Sequence, residues 1–261
     1  MEQYGQGQSR TYCGYNEKMN VHELYDDTSP EIWKKVIGED LHYHVGWGEG
    51  DILYNAVKHL YQFIDKESKV LDCGCGWGGP AKVIKRDLHC DVTAITNSPV
   101  QYDYIKDNIP IEVILCDLQD YNPTKKYDCG IFIESFCHLK DPESVVKNIK
   151  DSCNKIIIRD YVLKELNYPR KYIDNWLMTI YYKEEFLSMF EKHGYKMTYC
   201  EDHYEDGLEP TVNYWLENLS KVERKDKTPH ILLLEKSARY LKGYLQDVLN
   251  SIELSTMVFE K

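Results

Sequence analysis

The segment KVLDCGCGWGG, residues 69–79, constrains the fold of this chain more than any other stretch. Its first residues favour a buried strand, Asp72 ends that strand, and four glycines follow before residue 80. Glycine lets the backbone turn sharply and approach a ligand without interference from a Cβ atom. Pro80 suits the first turn of a helix, which we predict over residues 80–87. Strand, glycine turn and helix N-terminus together predict the nucleotide-binding corner of a doubly wound α/β sheet.

The glycine spacing does not identify the ligand. Gly74, Gly76 and Gly79 satisfy the G-x-G-x-x-G fingerprint of dinucleotide-binding folds, and glycines that only form a tight turn would give the same pattern. Asp72, two residues before the first glycine, distinguishes these alternatives because a carboxylate there repels a pyrophosphate. The segment therefore favours a ligand that presents a cationic group to Asp72.

The rest of the chain continues the alternation of strands and helices. A helix is predicted over residues 52–63, another begins at the N-cap residue Ser98, and a third begins after Asp141. Further helical segments are predicted at 183–193, 212–219 and 230–249. This pattern predicts one α/β domain with a seven-stranded, doubly wound, Rossmann-like sheet. After the first strand, the predicted strands are residues 90–96, 111–116, 127–133, 155–159, 195–202 and 254–261.

Composition excludes several classes of partner. The formal net charge is −11 and the chain lacks a long basic run, which argues against binding nucleic acid. The sequence has neither an apolar run long enough for a membrane span nor a signal-peptide core at its N-terminus, so we expect a cytoplasmic protein. The nine cysteines are interpreted as reduced core residues, and Cys73 and Cys75 lack a matching pair of ligands. No metal site is predicted.

Taken together, the motifs VLDCGCGWGG, VTAITNSPVQ, CDLQDY and ESFCHLKD resemble those of class I S-adenosylmethionine-dependent methyltransferases over residues 25–160. Within that superfamily, VTAITNSPVQ resembles the branch of cyclopropane fatty acid synthases, tocopherol and geranyl diphosphate C-methyltransferases and sarcosine/dimethylglycine N-methyltransferases. The segment GEDLHYHVGW resembles the N-terminal cap motif of the last two groups. One departure is that the second strand ends in Thr96 and Asn97, where most class I enzymes carry an acid for the ribose.

The resemblance implies S-adenosylmethionine as cofactor, S-adenosylhomocysteine as product, and a set of binding residues. Asp72, Gly74, Cys75 and Gly76 are expected at the methionine end, Thr96, Asn97 and Gln101 at the ribose, Asp117 and Leu118 at the adenine, and Glu134 at the floor of the site. Two of these residues have simpler interpretations. Asp117 could instead only cap a turn, and Glu134 and His138 could be an i, i+4 pair on a helix surface.

Methyl transfer requires a base only when the acceptor loses a proton, so the candidate catalytic residues are few. They are His138, then His44, with Glu134 beside them; either histidine could instead orient a loop. Aromatic residues are candidates for binding the acceptor, either through cation–π contacts or as an apolar pocket for a lipid or prenyl group. They are Tyr15, Tyr43, Trp47, Tyr161, Tyr181, Tyr204 and Tyr214.

The sequence predicts three regions: an N-terminal arm and cap helices (1–64), a cofactor-binding core (65–160) and a region of cap insertions and closing strands (161–261). We expect a small-molecule acceptor, methylated at N, O or C, and allow a homodimer. Two alternatives remain open. They are an NAD(P)-dependent oxidoreductase that uses the G-x-G-x-x-G corner, and a non-catalytic binding protein on the same fold.

Overall fold

A computed structural model describes residues 25–164 and 178–261, apart from the side chain of residue 205. The strands in this part of the chain are β1 Lys69–Cys73, β2 Asp91–Thr96, β3 Glu112–Leu115, β4 Tyr127–Ile133, β5 Cys153–Leu163, β6 Tyr181–Tyr182, β7 Lys196–Asp202 and β8 Ile252–Glu260. They form a single sheet in the order β3-β2-β1-β4-β5-β8-β7, with the short strand β6 paired to β5.

The pairing confirms the predicted doubly wound sheet. Strands β1 to β5 are mutually parallel, whereas β8 runs antiparallel to both β5 and β7. Two details differ from the prediction. The fifth strand continues to Leu163, because the whole length of β8 pairs with residues 155–163. Tyr161 therefore belongs to the sheet. Strand β6, two residues long, adds an eighth member.

Most helices follow the predicted positions. The segment predicted over residues 212–219 is part of a longer helix, Tyr204–Lys221, and the one predicted over 230–249 is two helices separated at Tyr244. The helix Pro99–Asn108 begins after Ser98, whose hydroxyl accepts the Gln101 N–H, and the helix Pro142–Ile149 begins after Asp141, which accepts the Ser144 N–H. The predicted helix over residues 52–63 ends as an α-helix at His59 and finishes as a 3₁₀ turn. The helices of the described residues are α1 Pro30–Ile37, α2 Ile52–His59, α3 Gly79–Leu88, α4 Pro99–Asn108, α5 Pro142–Ile149, α6 Lys183–Glu191, α7 Tyr204–Lys221, α8 Pro229–Gly243 and α9 Leu245–Ser251.

The sheet is buried on both faces, as parallel strands with crossover helices require. Val70 packs with α2 and α3 on one face, and its neighbour Leu71 packs with α5 and α6 on the other. Helices α1, α7 and α8 form a third cluster, which includes Trp77 from the glycine turn. These helices therefore lie against the end of the sheet at which β1 terminates.

The division of the chain into three regions remains a prediction. The structure does place β7 and β8, from the third predicted region, inside the sheet. Within the described residues, no helix combines the length and apolarity that crossing a membrane requires.

Candidate active site

A cavity of about 430 Å³ opens at the carboxyl ends of β1, β2, β3 and β4. In open α/β sheets ligands bind at this edge, beside the point where strand order reverses. Every residue expected to hold the cofactor lines this cavity: Asp72, Gly74, Cys75, Gly76, Thr96, Asn97, Gln101, Asp117, Leu118 and Glu134. The fold therefore brings together residues from four separate stretches of sequence.

Asp72 is the most unusual group in the cavity wall. It is only 2% exposed, and its Oδ2 atom has no hydrogen-bond partner among the described residues. Burial raises the pKa of this carboxyl to about 7. A buried polar atom without a partner is costly, so its presence indicates that a bound group satisfies it. The cationic amino group of an amino acid would do so.

Backbone geometry explains why glycine occupies the turn after β1. Gly76 has φ of +54°, and a Cβ atom placed there would project into open space at the cavity wall. Gly79 is constrained from the opposite side, since its Cβ would lie 2.4 Å from the Asp40 carbonyl oxygen. The turn is therefore open towards the cavity and closely packed behind it.

The polar residues after β2 and β3 are already oriented by local hydrogen bonds. The Thr96 hydroxyl donates to Gln101 Oε1 over 2.7 Å, and both side chains are buried. Asn97 beside them is exposed and lines the cavity. Asp117 Oδ1 accepts the Gln119 N–H at 2.9 Å, so this carboxylate caps a turn as well as lining the cavity.

Glu134 is the centre of a hydrogen-bond network on the far side of the cavity. Its Oε1 accepts Arg159 Nη1 at 2.6 Å and the Val45 N–H at 2.8 Å, and its Oε2 accepts the Tyr161 hydroxyl at 2.6 Å. Burial raises the pKa of Glu134 to about 7, while these three donors favour the carboxylate. Burial lowers the pKa of Arg159, although a guanidinium stays charged in proteins. The two residues therefore form a buried ion pair.

The two candidate bases differ in environment. His44 is buried; its Nδ1 lies 3.0 Å from the Val45 carbonyl, which can only accept, so Nδ1 carries the proton. The other nitrogen, Nε2, lies 3.4 Å from His42 Nδ1, and burial holds the pKa of His44 well below its usual value. His44 lines the cavity, and its ring contacts are those of a positioning residue. His138 is half-buried and lines the same cavity.

The aromatic candidates do not converge on one pocket. Tyr43 lines the cavity, and Tyr161 reaches it through its hydrogen bond to Glu134. Tyr15 lies outside the described residues. The other four do not line this cavity: the ring of Trp47 packs on His59, that of Tyr181 on Phe186 and that of Tyr204 on Tyr161, and Tyr214 lines a separate cavity between residues 37–53 and α7. The sequence predicted these four at the acceptor because they are aromatic. Tyr204 is buried, and the other three are partly buried away from this cavity.

Two residues of the site were missed in the sequence. Tyr25 lines the cavity, with its ring 5.7 Å from that of Tyr43. Arg159 is almost completely buried and holds Glu134. A signal for Arg159 was present, because a basic residue ends the apolar run of the fifth predicted strand, as Asp72 ends that of the first. Tyr25 gave no comparable signal.

Residues 70–155, from β1 into β5, match the family model described as a methyltransferase domain. In sequence the chain is 32% identical, over 87 residues, to the (S)-tetrahydroprotoberberine N-methyltransferase of Eschscholzia californica. That match covers 31% of this chain and 25% of the enzyme, so the chain spans about a quarter of the length of this curated relative.

Solved structures resemble the chain over nearly its whole length. The cyclopropane synthase MmaA2 of Mycobacterium tuberculosis has a TM-score of 0.77 at 14% identity, covering 94% of this chain and 100% of that one. The cyclase SpnF has a TM-score of 0.76 at 18% identity, covering 92% and 94%. At these identities the likeness shows the fold. The predicted resemblance is thus confirmed: residues 70–155 are similar to a methyltransferase domain, and the chain has the fold of these two enzymes.

Proposed function

We propose that the protein transfers a methyl group from S-adenosylmethionine to a small-molecule acceptor. The observation that carries the proposal is Asp72, a buried carboxylate with an unpartnered oxygen at the end of β1, beside a glycine turn open to the cavity. The cationic amino group of S-adenosylmethionine would satisfy that oxygen. A pyrophosphate in the same place would add a like charge.

The remaining cavity residues fit the other parts of this cofactor. Gly74, Cys75 and Gly76 would border the methionine portion, the Thr96–Gln101 pair with Asn97 would hold the ribose, and Asp117 with Leu118 would border the adenine. When bound, the cofactor supplies an electrophilic methyl carbon with a good leaving group. The chain then has to position the acceptor and exclude water, and positioning alone supplies on the order of 7 kcal/mol or more.

The acceptor side of the cavity favours an uncharged nucleophile. Glu134 and Arg159 neutralise each other, and the nearby rings of Tyr25 and Tyr43 provide apolar surface. A protonated amine has no lone pair with which to attack, so a neutral wall suits the reactive form of an N, O or C nucleophile. His138 is the residue we assign to removing a proton where the acceptor must lose one. A homodimer and a cytoplasmic location remain predictions from the sequence.

Two other functions are tested by the same experiment. The oxidoreductase has only the glycine spacing in its favour. A protein that binds the cofactor without transferring methyl groups has more support, because one similar structure carries the name of a cyclase.

The experiment has two steps. Calorimetry should detect binding of S-adenosylhomocysteine and no binding of NAD⁺ or NADP⁺. Methyl-labelled S-adenosylmethionine is then incubated with panels of amines, phenols, carboxylates and prenyl compounds. Label in a product supports the proposal; binding of a nicotinamide cofactor would overturn it. Tight binding of S-adenosylhomocysteine with no label transferred to any panel would favour the non-methylating function.

A further inference from the structure

Three potential metal ligands converge at the edge of the sheet, away from the cavity. Glu201 Oε2 lies 3.7 Å from His59 Nε2 and 3.8 Å from His203 Nε2, and the three ligand atoms lie within 4.8 Å of one another. Tetrahedral zinc with bonds of about 2.0 Å places adjacent ligand atoms about 3.3 Å apart. Small side-chain rotations would bring the three groups to that geometry.

The fold explains why these side chains meet. Glu201 lies in β7 and His203 directly follows that strand, two residues further on, so both project from the same side of the chain. His59 is the last residue of α2, which packs beside this edge. The ring of Trp47 covers the group, 4.4 Å from the His59 ring and 5.4 Å from the His203 ring. The cluster is thus walled on one side by an apolar ring.

His203 is the strongest sign of a ligand. It is 3% exposed, and its Nε2 atom has no hydrogen-bond partner among the described residues, which is unfavourable for a buried polar atom. A metal ion bound at this nitrogen would satisfy it, since imidazole nitrogens are common metal ligands.

The surroundings allow an ion to enter. The Glu201 side chain is 48% exposed, which leaves a route from solvent and room for a water molecule as a fourth ligand. Tyr199 donates a hydrogen bond to Glu201 Oε2, the kind of outer contact that orients a ligating carboxylate. The exposed Gln62 amide, 3.3 Å from His59 Nε2, has to turn aside. The charge of Arg159 opposes a cation here, whereas those of Glu201 and Asp202 favour it.

We propose that His59, Glu201 and His203 bind one divalent transition-metal ion. Two imidazoles and one carboxylate form a donor set that suits zinc and disfavours calcium and magnesium, which prefer oxygen ligands. None of the three residues lines the cavity, so this site is separate from the proposed methyl transfer. A bound ion would link the end of α2 to the edge strand β7 and stabilise the folded chain.

The test is a cobalt titration of the chelator-treated protein, followed by its visible absorption, with zinc as competitor. We expect one Co²⁺ per chain, displaced by Zn²⁺, and a higher melting temperature with Zn²⁺. His59→Gln and Glu201→Gln should each weaken cobalt binding at least tenfold. Glu223→Gln, the same change at an exposed glutamate elsewhere, should not alter it.

The proposal would be overturned if the parental protein failed to bind cobalt, or if the His59 and Glu201 variants bound it as tightly as the parental protein. Thiolate absorption in the cobalt spectrum would place the ion on cysteines and would also overturn it. The Glu201 side chain is half-exposed, whereas that of His59 is largely buried against the rings of Trp47 and His203. Unfolding curves recorded without metal therefore check that both variants fold. Affinity for S-adenosylhomocysteine should be unchanged in every variant, which separates this test from that of the proposed function.

Discussion

The two sides of the cavity are built in different ways. The side that we propose for the cofactor consists of short stretches, residues 72–76, 96–101 and 117–118, each at the end of its own strand. The side that we propose for the acceptor consists of single residues from separate segments, among them Tyr25, Tyr43 and Glu134. The first is positioned by the sheet itself, and the second by side-chain hydrogen bonds and ring contacts.

This difference determines how each side should respond to mutation. On the cofactor side the ligand would lie against the backbone of the glycine turn. A side chain added there should therefore abolish cofactor binding without disturbing any side-chain hydrogen bonds. On the acceptor side the Glu134 carboxylate joins the chain before β1, through Val45, to β5, through Arg159 and Tyr161. A change there should affect stability and acceptor chemistry together, and leave the cofactor affinity nearly unchanged.

The largest effect is expected for Gly76→Val. The added side chain would occupy cavity space that the cofactor needs, so we expect affinity for S-adenosylhomocysteine to fall by about a thousandfold, or about 4 kcal/mol. Gly76→Ala adds only a Cβ atom and should weaken binding less. Calorimetry measures both.

Gly194→Val is the matched control for this prediction. Gly194 also has a positive φ, +84°, and open space around its Cβ position, but it lies after α6 and outside the cavity. Both valine variants carry the same kind of backbone strain and should lose similar stability. If cofactor affinity fell equally in both variants, the cause would be backbone strain and not a side chain that fills the cavity. The glycine turn would then not be the binding site.

The next effect tests the acceptor side. Glu134→Gln preserves shape but leaves the buried Arg159 charge without its partner, so we expect about 3 kcal/mol less stability in urea unfolding. The double variant Glu134→Gln/Arg159→Met removes both charges and should recover part of that loss. Affinity for S-adenosylhomocysteine should fall by less than about threefold, or 0.7 kcal/mol. A larger fall in this affinity would show that Glu134 contacts the cofactor and not the acceptor.

The same difference explains what could be predicted from the sequence. The sheet and the nine residues of the proposed cofactor side could be predicted, because each lies at or shortly after the end of a predicted strand, and the carboxyl ends of parallel strands meet at one edge. Glu134 was predicted with them, and we now propose it for the acceptor side. The acceptor side as a whole could not be predicted. Trp47 and Tyr181 were as plausible as Tyr43 in the sequence, since aromatic rings serve cores and pockets alike, and only tertiary packing separates them. The cluster of His59, Glu201 and His203 could not be predicted either, because only tertiary packing brings His59 to the other two residues.

A third prediction concerns Asp72 and pH. Its pKa is raised to about 7, so the folded protein holds a proton there that the unfolded chain has lost. The unoccupied protein therefore becomes less stable as pH rises from about 4 to about 7. Asp72→Asn should remove this loss and stabilise the free protein at pH 8 by on the order of 2 kcal/mol, with little effect near pH 4. Urea unfolding at the two pH values measures it.

The same substitution should weaken cofactor binding. In the parental protein, affinity for S-adenosylhomocysteine should rise as Asp72 ionises near pH 7, because the carboxylate then faces the ligand's ammonium group. Asp72→Asn should bind about tenfold more weakly at pH 8, or about 1.4 kcal/mol, and lose that pH dependence. A variant that is more stable and binds equally well would show that Asp72 does not contact the cofactor.

The smallest effect is expected for Tyr161→Phe. This change deletes one hydrogen bond to Glu134 Oε2 and should cost about 1 kcal/mol of stability. The control is Tyr195→Phe, which deletes a hydrogen bond of the same length, 2.6 Å, from a buried tyrosine to the Cys153 carbonyl, remote from the cavity. In unfolding experiments the two variants should be alike.

They should differ in the pH profile of methyl transfer to the acceptor found by screening. The Tyr161 hydroxyl favours the ionised form of Glu134, so its loss raises the pKa of that carboxyl above about 7 and shifts the rise of kcat/KM to higher pH. Tyr195→Phe should leave the profile in place, because its partner is a carbonyl group that does not titrate. Equal profiles for both variants would mean that ionisation of Glu134 does not govern transfer, and that its network serves only to hold the acceptor side together.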